Sequence, residues 1–234
     1  MSDPQVRWGL AVLDRLPLAG DELVLDAGCG SGRVTEALME RLPRGRVVAL
    51  DASASMLAEA RERLGRFGDR VTFVQADLGR PLPLDDPVDA VFSTATFHWV
   101  LDHDALFAHL AAVVAPGGRL VAQCGGAGNV ASVGRVLAEM GEPFDRLVTF
   151  ATPEETRPRL EAAGFVDVEV WLSDEPTRFD PEGLEAFLAT VVLRDHLARR
   201  PPAERAGFVH EVATRLPRPE LDYVRLNITA RRAP

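Results

Sequence analysis

Apolar positions follow two rhythms along the first half of the chain. Short apolar runs at Leu23–Asp26, Val47–Asp51, Val71–Gln75, Val88–Ser93 and Arg119–Gln123 predict buried strands. Between them apolar residues recur at helical spacing. The helices expected there are Thr35–Arg41, a stretch capped by Ser53 and running through Leu64, and Asp104–Val114, which stops before Pro116-Gly117-Gly118. Residues 4–16 add a short amphipathic segment with Val6, Leu10, Leu13 and Leu16 on one side. This alternation predicts an α/β, doubly wound, mostly parallel sheet covered by helices on both faces.

After Cys124 the rhythm changes. Gly125-Gly126-Ala127-Gly128 reads as a connection and Val130–Met140 as a helix. Thr152-Pro153-Glu154-Glu155 opens another helix, with a cap, a proline in the first turn and acidic residues against the helix dipole. It ends at Gly164. Phe165–Leu172 alternates as a sixth strand, 180–216 holds two helical stretches split by Arg200-Pro201-Pro202, and Asp222–Arg231 is a last strand. A helical insertion of roughly forty residues between the last two strands is long for a connection. It is expected to cap the ligand end of the sheet or, alternatively, to pack on the sheet edge. The whole chain, 1–234, reads as one domain, with its core at about 20–125 and helical substrate-side and cap segments at about 126–164 and 173–216.

Composition narrows the partners. The chain has 234 residues, 47% of them apolar, and a net charge of −9, which disfavours nucleic acid as a partner. All 26 basic residues are arginine, so lysine-dependent covalent mechanisms are excluded. Two cysteines, Cys29 and Cys124, make neither a disulfide framework nor a metal site. No signal pattern and no membrane-length apolar run is found, so a cytoplasmic protein with no membrane partner is expected, as a monomer or homodimer.

The chemistry starts where the first strand ends, in Asp26-Ala27-Gly28-Cys29-Gly30-Ser31-Gly32-Arg33. Glycines let the chain turn tightly and let a ligand approach, and the helix that follows offers free N–H groups. A dinucleotide fingerprint would place its third glycine one residue later, which argues against an NAD-dependent oxidoreductase. The pattern Asp-x-Gly-x-Gly-x-Gly resembles the first motif of class I methyltransferases, which bind S-adenosylmethionine (SAM) and release S-adenosylhomocysteine (SAH). Asp26, Gly28, Gly30 and Gly32 are therefore candidate cofactor residues. Asp51, at the end of the second strand, can accept both ribose hydroxyls, with Ala52 beside it and Met56 one turn on, where a thioether can pack on adenine. Asp77 can accept from the adenine amino group and Leu78 can pack on the ring. Backbone carbonyls near Ser93, Thr94 and Ala95 can hold the cofactor's ammonium. His98 is a candidate general base and Trp99 a pocket wall.

Together with Phe97-His98-Trp99-Val100, Leu110…Ala115-Pro116-Gly117-Gly118 and the later Phe187…Thr190…Leu193-Arg194…Leu197, these pieces resemble the trans-aconitate methyltransferase-like group of small-acid carboxyl O-methyltransferases. The resemblance implies a Rossmann-like sheet of seven strands with the last antiparallel. It also implies methyl transfer from SAM to a small molecule. The insertion departs from that group around Thr190, where its tryptophan and glycine are absent, so trans-aconitate itself is not implied. A small acid would need arginine, and Arg146 and Arg194 are the candidates. A carboxylate acceptor needs no base, whereas an alcohol, phenol or amine would draw on His98. The remaining alternatives are a carbon acceptor and a non-catalytic module that binds SAM or a nucleotide and acts through protein partners.

Overall fold

The computed structural model describes residues 4–144 and 148–234. In chain order its strands are β1 (Leu23–Ala27), β2 (Arg46–Asp51), β3 (Val71–Gln75), β4 (Val88–Thr94), β5 (Val114–Gly125), β6 (Phe165–Asp174), β7 (Thr177–Arg178), β8 (Glu220–Leu221) and β9 (Val224–Arg232). The helices are α1 (Pro4–Leu13), α2 (Arg33–Glu40), α3 (Ala54–Leu64), α4 (His103–Val113), α5 (Ala131–Glu139), α6 (Pro153–Ala162), α7 (Pro181–Phe187), α8 (Arg194–Ala198) and α9 (Pro202–Arg215). Contacts divide the chain into two compact units. One comprises Met1–Ala127, Thr149–Ser173 and Arg225–Pro234, and the other Gly128–Val148 and Asp174–Val224.

The first unit is built on a seven-stranded sheet in the order β3-β2-β1-β4-β5-β9-β6. β1 pairs in parallel with β2 and β4, β2 with β3 and β4 with β5, while β9 runs antiparallel to β5. The expected α/β sheet with an antiparallel last strand is thus what forms. Successive residues of a strand point to opposite faces. Leu25 accordingly joins Phe97, Phe107, Leu110, Leu160 and Phe165 on one side. Val24 joins Leu13, Leu38, Met39 and Phe92 on the other. Burying each such side chain contributes about 1.5–3 kcal/mol, and a strand buried on both faces reads as a continuous apolar run. The chain reverses its direction of travel across the sheet between β1 and β4, which opens a crevice at their carboxyl ends.

Helix starts follow local chemistry. Ser53 Oγ accepts from the Met56 N–H at 3.4 Å, Asp102 Oδ1 accepts from Ala105 N–H at 3.0 Å, and Thr152 and Glu155 close a reciprocal capping box with Pro153 in the first turn. Two expectations change. The fifth strand begins at Val114, not Arg119, because Val114 pairs with Val88 and the Pro-Gly-Gly turn is looped out before Arg119 pairs with Ala90. Helix α6 was expected among the substrate-side segments, yet it belongs to the sheet unit, where Leu160 fills the core beside Phe107.

The second unit is helical with one small ribbon. Its buried side chains include Leu184, Leu188, Leu193, Phe208, Val209 and Val212. Leu188–Val192 is a π-helical turn between α7 and α8. Asp222, expected to start the last strand, instead accepts from the Ser132 N–H at 2.9 Å and the Ser132 hydroxyl at 2.6 Å at the start of α5. Among the described residues no helix is long and apolar enough to cross a membrane.

Candidate active site

The glycine loop is held against the end of β2: the Gly28 and Cys29 N–H groups both donate to the Leu50 carbonyl, at 2.8 and 2.9 Å. Gly28 has φ +89°, and a Cβ there would collide with the Thr96 side chain. Only glycine lets the loop from β1 meet the loop after β4. Gly30 differs. Its φ is +54° and nothing lies within 4 Å of where a Cβ would be. Its N–H donates to Asp51 Oδ2 at 2.9 Å, and the Ser53 N–H donates to Oδ1 at 2.8 Å. The Asp51 carboxylate is thereby oriented beside open space, with a lone pair left on each oxygen. Gly32 lies at the start of α2, with φ 79°.

Asp26 does not face that space. It is buried, and its Oδ2 accepts from the Thr35 hydroxyl at 2.7 Å. Burial pushes its carboxyl up to about 7; the Thr35 hydrogen bond opposes that rise and the nearby Asp51 charge adds to it. Asp26 therefore secures the first turn of α2 from below rather than touching a ligand. Leu78 is a second correction: it is buried in the core with Leu106 and Leu110, because the turn after β3 points it inward. Asp77 stays exposed, with Oδ1 accepting from Gly79 N–H at 2.8 Å. Ala52 contributes its carbonyl to Gln75 Nε2 at 3.3 Å, and Met56 is half-buried in the first turn of α3.

The loop after β4 carries the remaining candidates. Ser93 is buried and its hydroxyl donates to the Ala27 carbonyl at 2.6 Å, tying β4 to β1. Thr94 is half-buried, and its carbonyl lies 3.0 Å from Thr96 Oγ1. Ala95 takes φ 57°, and its N–H donates to the Gln123 carbonyl at 2.7 Å. A left-handed alanine is a strained conformation that such loops keep where function needs it. Phe97–Trp99 is a single 3-10 turn. Trp99 is 47% exposed.

The geometry speaks against His98 as a general base. The Gly125 N–H donates to its Nδ1 at 3.3 Å. A backbone N–H can only donate, so the imidazole proton sits on Nε2. Burial first, then the Arg225 and His103 charges, pull its pKa down to about 3. The ring stacks at 5.8 Å on Phe150, and its own carbonyl accepts from Thr149 N–H at 2.8 Å. His98 is thus a neutral, rigidly held N–H donor. Burial pushes the Cys29 thiol up and the Cys124 thiol up to about 12.

Arg194 is exposed at the start of α8 in the second unit, and Arg146 lies outside the described residues. The sequence reading missed Thr35, Thr96, Gly125 and Arg225. Arg225 is buried at the start of β9, its guanidinium 5.0 Å from the Trp8 ring centroid. Its signal was a charge in an otherwise apolar alternation, Val224-Arg225-Leu226-Asn227-Ile228.

Comparison with known proteins agrees with this geometry. A methyltransferase domain family matches residues 24–118. A trans-aconitate 2-methyltransferase of Methylobacterium radiotolerans is 31% identical over 219 residues, covering 88% of this chain and 82% of the relative. One from Methylobacterium nodulans is 36% identical over 173 residues, covering 74% and 64%, and one from Variovorax paradoxus is 40% identical over 121 residues, covering 52% and 45%. The matches to these last two thus span less than two thirds of the relatives' length. The YcgJ protein of Bacillus subtilis shares the fold at a TM-score of 0.70 and 17% identity, covering 97% of this chain and 99% of that one. A phosphoethanolamine N-methyltransferase of Haemonchus contortus, solved with SAM, does so at 0.64 and 22%, covering 97% and 53%. With the sheet order and the glycine loop, these matches show that the chain belongs to the class I SAM-dependent methyltransferases, in the trans-aconitate methyltransferase group.

Proposed function

We propose that this protein binds SAM over the glycine loop and methylates a carboxylate of a small organic acid. The observation that carries the cofactor assignment is the junction of Gly30 and Asp51. An oriented carboxylate stands beside a backbone position with nothing within 4 Å of a would-be Cβ. Asp51 would take the ribose hydroxyls, Met56 would pack on the adenine, and Asp77 would accept from its amino group. The carbonyls of Ser93–Ala95 would face the ammonium. When bound, SAM supplies a methyl group already activated by its sulfonium.

The protein's own task is then to orient the acceptor in line and keep water away. The carboxylate class is favoured by the trans-aconitate relatives and by His98. An alcohol, phenol or amine must lose a proton, and the ring nitrogen that could take it is occupied by Gly125. A carboxylate is already ionised at neutral pH.

Methyl-labelled SAM offered with a panel of small mono-, di- and tricarboxylates tests the reading. The expected product releases volatile labelled methanol on mild alkaline hydrolysis, as a methyl ester must. Label that stays in an alkali-stable product would place the methyl on nitrogen, carbon or an ether oxygen and overturn the carboxylate assignment.

A further inference from the structure

His103 is an ionisable residue set among apolar side chains. It is the first residue of α4 and is 3% exposed. Its ring lies 5.7 Å from that of Phe107, which in turn meets Phe97 edge-on at 6.1 Å. Its Nε2 lies 3.1 Å from the Phe97 carbonyl. A carbonyl can only accept, so the imidazole proton sits on Nε2. Nδ1 is then a bare lone pair, buried with no partner among the described residues. Burial, the largest effect, holds the pKa below the usual histidine value, so the ring is neutral at pH 7.

Stability does not account for a histidine here. A buried acceptor without a donor costs more than a neutral hydrogen bond contributes. The Phe97 carbonyl does not need the imidazole either, because the Val100 N–H already donates to it at 3.0 Å. A leucine would fill the space beside Phe107 without an orphaned nitrogen. What the imidazole adds is a second, fixed direction on that carbonyl, from a helix whose Leu106, Phe107 and Leu110 are wholly buried.

The bond acts on a loop whose shape is strained. β4 ends at Thr94, and Ala95 follows at φ 57°, a left-handed backbone that persists only where its surroundings over-determine it. On one side the Ala95 N–H ties the loop to the Gln123 carbonyl at 2.7 Å. On the other, the Trp99 N–H donates to the Thr96 carbonyl and the Val100 N–H to that of Phe97, and His103 fastens the resulting Phe97–Trp99 turn to α4.

We propose that His103 is a positioning residue, whose Nε2–H holds the Phe97 carbonyl and so keeps the loop 94–100 in the shape that receives the ammonium and methyl ends of the cofactor. This deepens the methyl-transfer reading above and rests on it. Buried beneath the turn, His103 acts through the Phe97 backbone and not on the reacting atoms.

The test compares wild type, His103→Leu and His103→Gln by thermal melting, SAH calorimetry and amide hydrogen exchange. Glutamine carries an N–H the same number of bonds from the backbone as the histidine Nε2, and leucine carries none. His103→Leu is expected to melt no more than about 4 °C below wild type. It is expected to bind SAH about tenfold more weakly and to exchange the Trp99 and Val100 amides at least about tenfold faster. His103→Gln is expected to recover both to within about threefold. A merely structural histidine would show the reverse, a lower melting temperature with SAH affinity intact. That result overturns the proposal, and so does a His103→Leu protein that fails to fold, since the imidazole would then be a stabilising group. Equal loss of SAH affinity in both variants overturns it too, because the donor would not be the cause. Wild type that does not bind SAH sinks the methyltransferase reading instead. The amide exchange then still decides, and unchanged protection of Trp99 and Val100 in His103→Leu overturns the proposal.

Discussion

The Gly125 N–H donates to Nδ1 of His98 at 3.3 Å, and this one bond sets the chemistry of the imidazole. It fixes the tautomer, and burial keeps the ring neutral. The first prediction follows. His98 holds its proton on Nε2 and does not titrate between pH 5 and 8, as read from its ring nitrogen shifts. The unfolded histidine binds a proton below pH about 6.5, while the folded one does not until about pH 3. Stability therefore decreases as pH falls through that window, by up to about 1.4 kcal/mol per pH unit. A native His98 that titrates near 6.5 would restore it as a base.

Asp26 gives the opposite slope. Its folded carboxyl is raised to about 7 from the ordinary 3.8 of an aspartate, so between those values the folded state holds a proton the unfolded state has released. Stability from this group is full below pH 4 and is lost as pH rises through about 7. Asp26→Asn should flatten that part of the pH–stability curve, because the amide oxygen can still accept from Thr35 and carries no charge. Thermal melts at pH 5 and pH 8 check it. A variant that loses more stability at pH 8 than wild type would show that the ionised form is the native one.

Thr35→Val removes the donor to a buried carboxylate while keeping shape. The expected cost is about 1–3 kcal/mol in denaturant unfolding. A change below about 0.5 kcal/mol, the range of neutral surface substitutions, would mean that water replaces the hydroxyl.

Gly28 and Gly30 should separate stability from cofactor affinity. Gly28→Ala drives a Cβ into Thr96 and should lower stability strongly. Gly30→Ala meets no protein atom within 4 Å, so its cost is the left-handed backbone, about 1 kcal/mol. Its Cβ would enter the space assigned to the cofactor, and SAM affinity should fall by at least about tenfold. Equal SAM affinity in folded Gly30→Ala would remove that assignment.

The core of the fold was legible in the sequence because its signals are local. Strand β1, its glycine turn and α2 are contiguous, and Asp51 stands at the end of an apolar run. What stayed hidden depends on distant pairing. Arg225 sits at a polar position of an alternating strand, which normally points to solvent. Here helices cover both faces of the sheet, so the same position is buried. The role of His98 is set by Gly125, a backbone group 27 residues away. The two-residue strands β7 and β8 are too short to show a period. Asp26 misled for a related reason: it belongs to the motif, but Thr35 and the loop above it take it out of reach.

Calorimetric titration of the wild-type protein and Asp51→Ala with SAM, SAH and NAD tests the central claim most directly. Wild type is expected to bind SAM and SAH and not NAD, and Asp51→Ala to lose most of that affinity while still melting cooperatively. Binding of NAD without SAM, or SAM affinity untouched by the loss of Asp51, would contradict the cofactor site described above.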